Sequence, residues 1–369
     1  MSDQATTQPI SSVLITGFIG IIIVLAIAAL CILPFEEHFF IGWVGIAFMC
    51  ATPTQMILGL LWHNKLPTAV GNLSQPYKGL AFTAITIAAG VFFTVILSSL
   101  VGQGFGDTPM FIQYIILTVV VTLWLVPLWQ CWPFRLLTQN PLVFGLLTLL
   151  ATYAVAYIVW LIFFDYTALA HIPTPNGEIV HPMYHPEIDP KGLFNSWVAM
   201  TFAVTTAGVI VVHSLFDFLP IKKLSAGKPQ PIFGLVGTVY VLALAFLIRW
   251  FFINIIEMEQ VSYMIQVPVC MIFGSFLVNN MMQFGLFPNL KQPIRGFALM
   301  ACAIISALIM YQLYKFASTW FVGHELISGP AAGWALELWV ATAILGVTFP
   351  IIFVVSGYFD FWLLKKPTK

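Results

Sequence analysis

The sequence predicts an all-α integral membrane protein of about ten transmembrane helices, laid out as five repeated helical hairpins in circularly permuted order, with both termini cytoplasmic. Three observations predict it: scarce charge, a succession of apolar runs of spanning length, and a proline-led phrase that returns at every second run. Of 369 residues, 60% are hydrophobic and 8% charged, and the mean hydropathy is +0.97. A water-facing domain needs roughly 25% charged residues. Most of this surface must therefore meet the lipid bilayer, and a net charge of zero offers no footing for nucleic acid.

A helix crosses the hydrocarbon core with about 20 apolar residues. Such runs occupy 11–33, 40–61, 79–101, 110–131, 142–164, 197–219, 232–256, 262–285, 296–317 and 335–362. They leave no soluble domain over, so residues 1–369 read as a single polytopic membrane domain. The first run lacks a preceding basic segment and a following small-residue cleavage site, and it reads as a retained span.

Charge sets the expected orientation. The loops after spans two, four, six and eight, with the C-terminal tail, hold Lys65, Lys78, Arg135, Lys222, Lys223, Lys228, Lys291, Arg295, Lys365, Lys366 and Lys369. That is eleven of the fourteen basic residues. The other side has Lys191, Arg249 and Lys315 and collects acids such as Glu36, Glu37, Glu257, Glu259, Glu325 and Glu337. Basic segments resist translocation. The lysine-rich turns are expected in the cytoplasm, and the chain in a bacterial inner (plasma) membrane.

Each odd-numbered span opens on a similar phrase. Gln8-Pro9, Gln75-Pro76, Asn140-Pro141, Gln230-Pro231 and Gln292-Pro293 stand at the five starts. A small residue follows three places after the proline (Ser12, Gly79, Gly234, Gly296), or four places after it at Gly145. Proline at the first helical position loses no hydrogen bond and presets φ. The small residue lets a neighbour approach closely. The even spans rhyme as well: Trp43-Val44, Trp197-Val198 and Trp339-Val340 open three of them, as an interfacial aromatic belt would. Their far ends carry Trp62-His63, Trp129-Gln130, Phe216-Asp217, Phe284-Gly285 and Phe359-Asp360. The unit is an even span, a short basic turn and the following odd span, with span ten completed by span one. The proline starts lie 67, 65, 90 and 62 residues apart, and the long interval holds an external loop insertion at 165–196.

Polar residues inside spans are costly, which makes them the candidates for function. Thr52 and Gln55 flank Pro53, Thr205 sits at a similar depth in span six, and His213 follows nearer the lysine-rich end. Asn279 and Gln283 share one face of span eight. These six are expected to line a pathway near the repeat pseudo-axis; the alternative is that they bond neighbouring helices. Arg249 is expected to pair with Glu257 or Glu259. No cofactor is predicted. His181 and His185, with Glu187 and Asp189, offer a metal locus in the insertion as an alternative, because zinc and copper take imidazole and carboxylate ligands. Haem b is a second alternative, with only His63 to partner His213. The five cysteines lack C-x-x-C spacing and read as buried small side chains. Hydrolase and nucleotide-binding motifs are missing, and the chain reads as a non-enzyme.

Two functions follow. The first is a membrane channel or transporter for a small solute. The second is a non-catalytic membrane subunit or scaffold that binds partner proteins, lipids or further copies of itself.

Overall fold

A computed structural model describes residues 10–101, 108–165, 171–174, 177–180 and 192–364. The chain is 78% helical, and ten of its helices are long and apolar enough to cross a membrane. In chain order they are α1 (Ser12–Ile32), α2 (Phe40–Leu61), α3 (Tyr77–Leu100), α4 (Phe111–Leu128), α5 (Pro141–Phe163), α6 (Ser196–Leu215), α7 (Ile232–Ile255), α8 (Gln260–Met281), α9 (Ile294–Val322) and α10 (Ala335–Tyr358). The ninth is longer at both ends than its hydropathy alone suggests.

Burial divides these helices into two classes. In the even-numbered ones 67% to 78% of the most apolar window is buried, against 28% to 33% in the odd-numbered ones. The even helices form a closed inner ring: α2 packs on α4, α4 on α6, α6 on α8, α8 on α10, and α10 back on α2. The odd helices lie outside this ring. Each crosses the even helix before it in the chain, as α3 does α2, α5 does α4, α7 does α6 and α9 does α8. The first helix has no such predecessor and packs on α10, with its starting end beside the last turn of α8.

Sequence explains the difference. Outer helices are apolar all round, a pattern that suits lipid on one side and protein on the other. Ile22, Leu100, Leu150, Val239 and Phe316 stay exposed on them. Inner helices carry threonines that bond back to their own backbone, as Thr118 does to Ile115 and Thr122 to Thr118. Four of them also carry an internal proline, Pro53, Pro127, Pro268 and Pro350. A proline removes one ladder bond, which is tolerated where neighbouring helices supply partners. The Gln55 amide donates to the Pro350 carbonyl at 3.2 Å and ties α2 to α10.

All five inner helices end alike. An anchor side chain is followed by two successive left-handed residues: Trp62 by His63 and Asn64, Trp129 by Gln130 and Cys131, Phe216 by Asp217 and Phe218, Met282 by Gln283 and Phe284, Phe359 by Asp360 and Phe361. The last N–H groups reach five or six residues back, as Asn64 does to Leu58 at 2.8 Å and Phe284 to Asn279 at 2.8 Å. Such endings satisfy terminal carbonyls that an abrupt stop would orphan. In α8 the anchor pair is thus Met282-Gln283 rather than Phe284-Gly285. Sequence reading favoured the aromatic residue, but the backbone turns two residues earlier.

The opposite end of the ring carries the insertion. A two-residue parallel pairing, β1 (Phe164–Asp165) with β4 (Phe194–Asn195), closes its base. Within it, β2 (His171–Thr174) and β3 (Gly177–Val180) form an antiparallel pair, and β2 lies beside the turn Pro330–Ala332 before α10. Trp334, from that same loop, packs at a tilt against Trp197 of α6 with ring centroids 5.2 Å apart. Since α6 and α10 are not ring neighbours, the loop reaches across the ring's end.

Candidate functional site

The recurring phrase has a mechanical role at three of its positions. The Gln75 amide donates to the Tyr358 carbonyl at the end of α10, and its side-chain oxygen accepts the Gly79 N–H. Gln230 clamps Leu128 and Gly234 in the same way, and Gln292 clamps Leu215 and Gly296. One side chain therefore caps its own helix and holds the end of another. At Asn140 the roles change. Its side chain caps Leu142, and the Trp62 indole N–H donates to the Pro141 carbonyl at 2.8 Å. Pro141 is the first residue of its helix, as expected, whereas Pro76, Pro231 and Pro293 each stand one place earlier, at the cap. Gln8 and Pro9 lie outside the described residues.

The small residue of each phrase meets an anchor. A Cβ on Gly79 would come 2.5 Å from the Phe359 ring, on Gly145 2.5 Å from the Trp62 indole, and on Gly234 2.8 Å from Trp129. Gly296 presses on Phe216 in the same way. In α1 the contact falls to Gly17, whose Cβ would meet the Met282 sulfur at 2.6 Å.

The six pathway candidates fall at different helix seams. Thr52 bonds back to the Phe48 carbonyl within α2, and Gln55 crosses to α10. Thr205 donates to Thr201 and meets the Tyr263 hydroxyl of α8 at 2.8 Å. The His213 Nδ1–H donates to the Val209 carbonyl at 2.7 Å, and its Nε2 faces the Tyr240 hydroxyl of α7 at 3.3 Å. A carbonyl can only accept, so Nδ1 carries a proton. Asn279 and Gln283 sit half-buried at the lysine-bearing end of α8, where the Gln283 Nε2 is buried without a hydrogen-bond partner. Among the described residues no hydrogen bond joins any two of the six.

This chain matches no protein-family model, no curated protein and no solved structure. Its chemistry must be read from its own geometry.

Two groups stand out that sequence reasoning passed over or misplaced. Glu337 is fully buried in the first turn of α10. It accepts from the Ser262 hydroxyl of α8 at 2.8 Å, from the Ser328 hydroxyl, and from the Gly329 N–H at 3.3 Å. The carboxylate thereby ties the loop before α10 to α8. Its signal in the sequence was its position inside an apolar run rather than before it. Arg249 differs from expectation: its guanidinium donates to Thr201 at 2.9 Å and Gln260 at 3.3 Å, not to Glu257 or Glu259. Glu259 instead caps α8 by accepting the Ser262 N–H. Trp339 also departs from the belt reading, being 1% exposed and packed among Phe40, Tyr314 and Phe321.

The cysteines are free; Cys50, Cys131 and Cys270 are buried. Among the described residues no three His, Cys, Asp or Glu side chains converge as a metal site requires. His181 and His185 lie outside the described residues.

Proposed function

We propose that this chain is a non-catalytic integral membrane subunit, a sealed ring of hairpin units that binds partner membrane proteins or lipids. One observation carries the reading. A single contiguous cluster of buried apolar side chains draws on all five inner helices, including Met56, Leu117, Met200, Phe273 and Ile344. Interiors packed in this way exclude water, and a solute path needs the reverse. Three of the six candidates, Gln55, Thr205 and His213, reach across seams between helices, as packing in lipid favours.

The proposed unit is the hairpin α2–α3, repeated in α4–α5, α6–α7 and α8–α9, with α10 and α1 supplying the fifth. At α3, α7 and α9 the clamp joins the start of the outer helix to the end of the inner helix of the neighbouring unit. A permuted chain must close such a ring with α1 against α8 and α10, and α1 packs there. All units share one direction, unlike the inverted repeats of many alternating-access carriers. The lysine-bearing turns are placed in the cytoplasm of a bacterial inner membrane, with both termini on that side.

Reconstitution tests the reading. Purified protein in proteoliposomes should pass neither ions nor small neutral solutes, and a polypeptide should co-purify from mild detergent in fixed ratio. A homo-oligomer that conducts on its own would overturn it. Among the observations that favour the channel reading is the polar pair Asn279 and Gln283 with the unpartnered Gln283 amide. Flux abolished by Asn279→Ala and Gln283→Ala would establish it instead.

A further inference from the structure

Two surface clefts meet at Phe35, between α1 and α2. The first is a polar crevice of about 390 Å³ lined by Leu33, Phe35, Glu36, Glu37, Phe321 and His324. The second is an open groove of about 550 Å³, walled by Phe35, Phe39, Trp43, Ala47, Phe48 and by Thr94 of α3. Its lining is almost wholly apolar; the Thr94 hydroxyl is turned to its own helix, donating to Gly90 at 2.7 Å. Head-sized polar space thus runs directly into tail-shaped apolar space.

Length selects the occupant. From Phe39 to Phe48 the groove follows the helix for roughly 14 Å, at 1.5 Å per residue. One leaflet contributes about 15 Å of hydrocarbon, and a spanning partner helix would need about 30 Å of groove. The groove accommodates one acyl chain from a single leaflet. Charge selects the head. Glu37 meets the His324 imidazole at 3.3 Å, while the Glu36 side chain is exposed and has no ion-pair or hydrogen-bond partner among the described residues. Phe35 and Phe39, with ring centroids 5.8 Å apart, add π-faces at the same place. Carboxylates beside aromatic rings favour a cation.

We infer that this two-part cleft binds a phospholipid with a primary-ammonium head, of the phosphatidylethanolamine class. The ammonium lies against Glu36 and Glu37, and one acyl chain lies along Phe39, Trp43 and Phe48. The inference does not depend on which end of the ring faces the cytoplasm, nor on whether the centre is sealed.

Native mass spectrometry of the purified protein tests it, using an equimolar mixture of phosphatidylethanolamine, its N-acetylated form and phosphatidylglycerol. The expected result is about a fivefold preference for phosphatidylethanolamine over the N-acetylated lipid, the scale of an exposed ion pair. Glu36→Gln with Glu37→Gln should remove that preference, and Glu36→Gln alone, at a side chain with no described partner, should reduce it in a fold that is otherwise unaltered. Ala47→Trp fills the groove and should lower retention of all three lipids. Equal retention of the acetylated and free-amine lipids by the wild-type protein would overturn the inference. So would an Ala47→Trp variant that still retains lipid, or a polypeptide cross-linking in the groove at residue 39.

Discussion

Gln292 joins two helices at once: its amide donates to the Leu215 carbonyl at 3.0 Å, and its side-chain oxygen accepts the Gly296 N–H at 3.1 Å. The same amide also reaches the Asp217 carboxylate at 3.0 Å. Replacement by alanine leaves a terminal carbonyl of α6 and a first-turn N–H of α9 without these partners. Gln292→Ala should cost about 1–2 kcal/mol of stability, read as a lower melting temperature in detergent. Gln292→Glu keeps the acceptor but faces Asp217 with a second negative charge, and should be no better than alanine.

The anchor contacts predict a sharp contrast between glycines. Gly296→Ala drives a methyl group into the Phe216 ring and should destabilise by about 1–3 kcal/mol, the usual scale of overpacking. Gly42, in the first turns of α2, has nothing within 4 Å of a Cβ. Gly42→Ala should be neutral or slightly stabilising. Thermal melts of the two variants side by side decide whether the contact or the residue type matters.

Glu337 holds a loop in place. With three donors converging on one buried carboxylate, Glu337→Ala orphans the Ser262 and Ser328 hydroxyls as well as the Gly329 N–H. Hydrogen bonds to charged groups are worth about 1.5–3 kcal/mol each. Amide hydrogen exchange across 324–334 should rise sharply in this variant, while exchange in the inner helices stays low. Uniform protection of the loop would show that Trp334 packed against Trp197 is enough to fix it.

The proposed orientation is tested by labelling. Cysteines introduced at Ser74 and Gly227, both in lysine-bearing turns, should resist a membrane-impermeant maleimide applied to intact cells and react after permeabilisation. Labelling before permeabilisation would reverse the orientation.

Much of the architecture was legible because lipid imposes simple rules. Ten runs of sufficient length became ten helices, and the predicted bounds of α2, α5 and α7 differ from the observed ones by a residue or so. Gly79, Gly234 and Gly296 were marked as close-approach positions by their place after a proline, and each meets an anchor ring. Sequence missed what depends on tertiary neighbours. The hydropathies of inner and outer helices overlap, so hydropathy could not rank them all by burial. Gln75 and Gln230 read as spacing marks because nothing along the chain announces a carbonyl on α10 or α4. Depth alone grouped Thr52, Gln55 and Thr205, yet helices at equal depth present their polar side chains to different seams. Arg249 was assigned the nearest acids in sequence, but the neutral Thr201 side chain across a helix seam lay closer.

The central claim, a closed inner ring packed solid with apolar side chains, is tested most directly by a side-chain-resolution cryo-EM map of the purified protein in nanodiscs. That map should show α1 seated against α8 and α10, and density for Met56, Met200, Phe273 and Ile344 buried among the inner helices. A continuous water-filled path between the lysine-bearing end and the insertion end would contradict it.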